Sequence, residues 1–224
     1  MTQKHGISFE FFPPKTAEGL DKLVTVQQKL LKKKPEFFSV TFGAGGSTRD
    51  RTWDTVMKVR EAGIETAPHL SCIGQDEDEV TALIHRYRDA GITRLVALRG
   101  DMPSGMGIAQ SSLRYADDLV RLIRAETGDH FTIEVAAYPE MHPQARNFED
   151  DLANFVRKAK AGADSAITQY FFNADCYFYF VERVRKLGVQ TPVVPGIMPI
   201  TNYSKLARFS DACGAEIPRW VRKQ

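Results

Sequence analysis

Short apolar runs alternate with longer amphipathic stretches along the chain, the mark of repeated parallel βα units. The pattern predicts strands over 7–12, 37–42, 65–70, 94–98, 132–136, 166–171 and 192–197. Helical spacing predicts helices between them, clearest over 76–90 and 147–161, with a last one over 203–213. Several helices are predicted to stop at a glycine: Ala62-Gly63, Ala90-Gly91, Ala161-Gly162 and Leu187-Gly188. Glycine accepts the left-handed conformation that closes a helix, so the phase of the repeat is well marked. Lys34-Pro35 marks the same kind of boundary, because proline cannot continue a helix.

The strands are dense in Val, Ile, Phe and Ala, which predicts burial on both faces and a parallel sheet covered by helices. A doubly wound sheet and a (β/α) barrel both satisfy this. The best glycine cluster, Gly43-Ala44-Gly45-Gly46-Ser47-Thr48, starts like a dinucleotide fingerprint but has Thr48 where its last glycine belongs, and no P-loop is present. A polar residue stands at or beyond the end of nearly every strand (Glu10, Thr41, His69, Asp101, Glu140 and Gln169), which favours a barrel with one functional rim. The expected fold class is therefore α/β, a (β/α)8 TIM barrel with about seven βα units. A closed barrel has eight and takes roughly 250 residues. The expectation is one domain over 1–224, lacking its C-terminal unit, with exposed sheet edges that make the chain aggregation-prone or poorly active.

Composition narrows the class of function. The 224 residues carry 30 basic and 28 acidic side chains, a net charge of +2, which gives no electrostatic case for nucleic acid. Cys72, Cys176 and Cys213 are widely spaced and outside any Cys-x-x-Cys pattern, as expected of reduced thiols. The first residues lack the apolar stretch of a signal peptide, and no apolar run approaches a membrane span. A cytoplasmic protein is expected.

Candidate chemistry lies at the strand ends. Glu10 sits within Phe9-Glu10-Phe11-Phe12-Pro13-Pro14. A carboxylate among aromatics loses hydration, and the resulting rise in pKa suits a general acid. The same residue equally suits a rim carboxylate paired with Lys15. Leu98-Arg99-Gly100-Asp101 ends the fourth strand, offering close backbone approach at Gly100 and an acceptor at Asp101, or simply a turn. Tyr138 and His142 lie in a proline-fixed loop after the fifth strand. The following helix carries Asp151, Asn154, Arg157 and Lys158 on one face, which periodicity alone reads as solvated. Gln169 places an amide beside aromatics, suited to a flat heterocycle, and Phe209 is either a stacking ring or core. The histidines have no metal-ligand spacing, and no Gly-x-Ser-x-Gly elbow exists.

Taken in order, Phe9-Glu10-Phe11-Phe12-Pro13-Pro14, Val40-Thr41-Phe42-Gly43-Ala44, Ala67-Pro68-His69-Leu70, Ala97-Leu98-Arg99-Gly100-Asp101, Ala137-Tyr138-Pro139-Glu140-Met141-His142-Pro143, Ile167-Thr168-Gln169-Tyr170-Phe171-Phe172 and Pro195-Gly196-Ile197-Met198-Pro199-Ile200 resemble the bacterial methylenetetrahydrofolate reductases. The resemblance implies a FAD-bearing barrel that takes hydride from NADH or NADPH and reduces methylenetetrahydrofolate to methyltetrahydrofolate, for methionine synthesis. It implies Glu10 as general acid, with Asp101 touching flavin and folate. Gln169 then serves nicotinamide and pterin, Thr41 contacts nicotinamide, and Lys205 and Phe209 lie on the folate side. It places Phe42, His69, Arg99, Gly100, Ala116, Tyr138, His142, Ala145, Asp151, Asn154, Arg157 and Lys158 on the cofactor side, overturning the solvated reading of the polar helix face. Lys205 stands where many bacterial members have a folate-contacting glutamine, and the family's closing arginine-bearing strand has no counterpart before Gln224. A homo-oligomer without nucleic-acid or membrane partners is expected. Two other readings are a non-catalytic remnant that binds flavin weakly or only pairs with a full-length subunit, and an unrelated flavin barrel of the proline dehydrogenase kind.

Overall fold

The computed structural model describes residues 6–42, 49–100 and 112–222. Strand and helix alternate through them: β1 (Ser8–Phe11), α1 (Ala17–Leu31), β2 (Phe37–Val40), α2 (Arg49–Arg60), β3 (Glu65–Ser71), α3 (Glu77–Asp89), β4 (Arg94–Leu98), α4 (Ala116–Thr127), β5 (Thr132–Ala137), α5 (Phe148–Lys160), β6 (Ser165–Thr168), α6 (Ala174–Lys186), β7 (Val193–Val194), α7 (Tyr203–Cys213) and α8 (Arg219–Arg222). The α/β class and the seven parallel strands expected for this kind of barrel fold are present. No helix among the described residues is long and apolar enough to cross a membrane.

Two compact units divide the chain, 1–133 and 134–224. In the first, β1 to β4 pair in parallel and in chain order, with Glu10 opposite Ser39, Ser39 opposite Ala67 and His69 opposite Val96. All of β2 is buried, as is β3 after Glu65, as expected of parallel strands in a sheet built from crossover units. Phe38, Val56, Ile84, Tyr87, Leu95, Leu119 and Ile123 form its fully buried core. In the second unit, β5, β6 and β7 pair in parallel. Leu152, Phe155, Phe180 and Val184 are buried there, and a further cluster joins Tyr170, Leu206, Ala215, Ile217 and Val221.

Local chemistry sets the boundaries. Thr16, Asp76, Asn147, Asn173 and Asn202 each cap a helix by accepting a backbone N–H of its first turn. The glycines expected to end helices, Gly63, Gly91, Gly162 and Gly188, all have positive φ. At Lys34-Pro35 the outcome differs: α1 stops at Leu31, and Lys34 itself takes φ 54°. β1, β2, β6 and β7 are shorter than the apolar runs predict. β6 stops at Thr168 because, just beyond Gln169, the N–H of Tyr170 is taken by the Gln169 side chain (3.0 Å), and Thr168 Oγ1 accepts from Gly196 N (2.9 Å). The run over 192–197 therefore pairs only through Val193–Val194.

Candidate functional site

In the first unit, Glu10 and His69 approach each other across β2. Glu10 Oε2 lies 3.3 Å from His69 Nε2; the imidazole is buried, while the carboxylate side chain keeps 48% of its surface. The approach is of ion-pair length without hydrogen-bond alignment, and His69 Nε2 has no other hydrogen-bond partner. The register explains the meeting. Glu10, Ser39 and Ala67 are level, so His69, two residues beyond Ala67, is on the same face. Small Ser39 leaves the space between them open.

The electrostatics correct the sequence-based expectation for Glu10. Crowding by protein atoms pushes its carboxyl up, but the His69 imidazole, through contact and charge, outweighs this and holds it below the usual 4.5. Aromatic neighbours in the sequence announced only the desolvation, and not the imidazole across the sheet.

Thr41 and Phe42 follow β2 and are half-buried. Thr41 N donates to Phe11 O at 2.9 Å and its carbonyl accepts from Thr52 Oγ1 at 3.1 Å, which fixes the loop's exit. The Arg99 carbonyl accepts from Ile73 N and Ser71 Oγ. Gly100 follows with φ +87°, where an added Cβ would overlap Ser71 Oγ. Ser71 was not foreseen, although it shares the His69 face of β3 by alternation. Ala116 opens α4, whose start is fixed by Asp118 Oδ2 accepting from Tyr115 N at 3.0 Å. Asp101 and the cluster Gly43–Thr48 lie outside the described residues.

In the second unit, two residues of the polar face of α5, Asp151 and Lys158, bond protein backbone, while Arg157 is exposed. Asp151, 8% exposed, accepts from His142 N at 2.9 Å, and Lys158 Nζ donates to Ala136 O at 2.5 Å. Arg157 donates to Asn154 Oδ1. His142 packs edge-on against Tyr138, centroids 4.5 Å apart, and its Nδ1 accepts from Gln144 N. The neutral ring therefore carries its proton on Nε2. Ala145 N donates to His142 O and closes that turn. Lys158 and Asp151 thus hold the loop that presents Tyr138 and His142.

Gln169 N donates to Ala137 O at 2.8 Å, and its own Oε1 accepts from Tyr170 N. The amide orientation follows without ambiguity: its NH2 group is left to donate. Tyr170 is the unforeseen hub. It stacks on Phe209 (5.9 Å, 15°), shares a hydrogen bond with Ser210 Oγ at 2.8 Å and accepts from Cys213 Sγ at 3.5 Å. Burial foremost, with the Cys213 contact, pushes its phenol up to about 12. Phe209 keeps 41% of its surface, so it is neither wholly core nor free. Lys205 is exposed, its backbone N–H bonded to the Asn202 cap. Tyr138, Glu140, Gln169, Tyr170 and Cys213 border a small cleft. Burial raises the Glu140 carboxyl above its ordinary value, although Glu216 N donates to it at 2.9 Å.

The first unit holds an anionic carboxylate beside an imidazole; the second holds a fixed amide donor and half-covered aromatic faces. Comparison with known proteins gives this chemistry its family. The model of the family described as methylenetetrahydrofolate reductase matches residues 1–224. The 5,10-methylenetetrahydrofolate reductase of Salmonella typhimurium is 43% identical over 216 residues, covering 96% of this chain and 71% of the relative. The Escherichia coli protein of the same name gives the same figures. Among solved structures, a Clostridium thermocellum protein that binds two copies of 5-methyl-5,6,7,8-tetrahydrofolic acid superposes with a TM-score of 0.69 over 97% of this chain and 74% of its own, at 18% identity, a likeness of fold. The chain belongs to the methylenetetrahydrofolate reductase family.

Proposed function

We propose that this protein reduces methylenetetrahydrofolate to methyltetrahydrofolate, drawing hydride from NADH or NADPH through bound FAD, and so supplies the methyl group for methionine synthesis. Family membership over the whole chain carries the reading. The site adds a carboxylate with about half its surface open, beside an otherwise unpartnered imidazole. In this reading Glu10 delivers the proton that opens the folate's five-membered ring, with Asp101, Gln169, Lys205 and Phe209 on the folate and Thr41 on the nicotinamide.

The residues present fit FAD by their donor chemistry. Arg157 and Lys158 match the charge of a pyrophosphate. Asp151 and Asn154 suit ribose hydroxyls, and the Tyr138–His142 ring pair suits a flat heterocycle. His69, Phe42, Arg99, Gly100, Ala116 and Ala145 complete the cofactor side. Bound there, FAD would supply the hydride chemistry between nicotinamide and folate. The chain's own work is to hold rings face to face, exclude water and manage one proton. Gln169 presents its NH2 to a ligand, because its oxygen already accepts from Tyr170 N. It therefore selects a ring acceptor such as a carbonyl. A cytoplasmic homo-oligomer is part of the same reading, and light scattering measures its mass.

The test is anaerobic. NADH should bleach the yellow of the purified holoprotein, and methylenetetrahydrofolate should restore it. Glu10→Gln should spare the first step and slow the second by 10²-fold or more, the range expected for loss of a general acid. Equal loss of both steps would remove Glu10 from the proposed role, and absence of either step in the wild type would remove the reductase reading.

A further inference from the structure

We infer that His69 is the positioning residue of Glu10, fixing its carboxylate on the sheet and storing the proton that Glu10 delivers. The inference rests on the reductase reading above and gives the acid a second member. Four observations carry it. Glu10 Oε2 and His69 Nε2 lie 3.3 Å apart, and the imidazole side chain is 9% exposed. Nε2 has no hydrogen-bond partner elsewhere, and a buried polar nitrogen left so is costly unless a charge compensates it. Ser39, 3% exposed, is the small residue of β2 over which the two side chains meet. Finally, Glu10 keeps 48% of its surface, so it can face a ligand while His69 stays behind it.

The charged surroundings are sparse. Within β1 Glu10 is the one ionisable side chain, and β2 has none. On β3, Glu65 is at the far end, bonded to Thr93 and Arg94 of the β4 edge; Arg99 follows β4. Among the described residues His69 is the group whose charge acts on Glu10, and its effect is to keep the carboxylate ionised. A lone ionised carboxylate holds no proton to give. When His69 carries a proton, the pair holds one. The proton moves from Nε2 to Oε2 and then passes from the Glu10 carboxyl to the ring nitrogen of the folate. The nitrogen–carbon bond then breaks with its electron pair staying on that nitrogen. Glu10 ends as it began, the imidazole ends neutral, and the substrate has gained one proton.

Two readouts test this on the full chain. With ¹³C-labelled glutamate carboxyls, the Glu10 signal in the wild type should titrate below the ordinary carboxylate range, and in His69→Gln its midpoint should rise by about one pH unit or more. This measurement needs neither cofactor nor turnover. In the second readout, the rate of folate reduction falls with rising pH as the acid is lost. That limb should move to lower pH by about one unit in His69→Gln, with about tenfold loss at pH 7.5. Ser39→Val keeps both groups but fills the space between them, and should displace the limb in the same direction, so misfolding of one variant does not stop the test. An unmoved Glu10 midpoint, or an unmoved limb in a folded variant, overturns the inference. A wild type without folate turnover sinks the reductase reading instead and leaves the carboxyl titration to judge the pair.

Discussion

Glu10 and His69 show how one contact reverses a local expectation. Aromatic neighbours argue for a neutral carboxyl, yet the imidazole across Ser39 keeps it ionised. The sign for stability follows. A carboxyl whose folded value is below its unfolded value adds stability above the ordinary carboxylate range and loses it as pH falls through the folded value. The wild type should therefore melt above Glu10→Gln at neutral pH, with the gap closing below about pH 4. The difference should stay under about 1 kcal/mol, because water screens a half-exposed charge. Two glycines make a sharper contrast. A Cβ at Gly196 would overlap the Thr168 carbonyl oxygen, which is backbone and cannot rotate away. At Gly100 it would meet the Ser71 hydroxyl, which can rotate, but φ is +87°. Chemical denaturation should show Gly196→Ala destabilised by about 3 kcal/mol and Gly100→Ala by about 1–2 kcal/mol. Equal costs would mean that overlap with fixed backbone does not make Gly196 the costlier site.

Among the elements, α5 was the most legible in its limits and the least in its purpose. Asn147 and Gly162 bracket it as their chemistry dictates. Its polar face reads as solvated by periodicity, whereas Asp151 and Lys158 are committed to the backbone of His142 and Ala136. Asn147→Ala should cost about 1 kcal/mol in thermal or urea unfolding, the usual loss of a cap. Asp151→Ala should cost more, because it also leaves the His142 N–H without its acceptor. β6 and β7 were overestimated for a related reason. Their apolar runs continue past the ladder, but the Gln169 and Thr168 side chains take backbone donors that a longer sheet would use.

For the molecule as a whole, the chain spans 71% of the length of the Salmonella typhimurium and Escherichia coli reductases it matches. Its fold is shared with proteins of other names, among them a phosphonopyruvate hydrolase at TM-score 0.57, so the fold by itself assigns no chemistry. The cofactor assignment has a thermodynamic test independent of turnover. A ligand bound only by the folded state at 100 times its Kd stabilises by about 2.7 kcal/mol. For a chain of this size that corresponds to a melting temperature raised by roughly 5–10 °C. FAD should do this to the apoprotein, and Lys158→Met should shrink the shift. No shift at saturating FAD would remove the cofactor from the proposal.

The order of strands and helices, their caps and the family were already written in the one-dimensional pattern, because periodicity, glycine and Asx capping act within a few residues. The ionisation of Glu10, the backbone contacts of Asp151 and Lys158, the Tyr170 hub and the orientation of the Gln169 amide were not. Each depends on a partner that strand register or helix packing brings close, and electrostatics acts through space, so distance along the chain carries no trace of it.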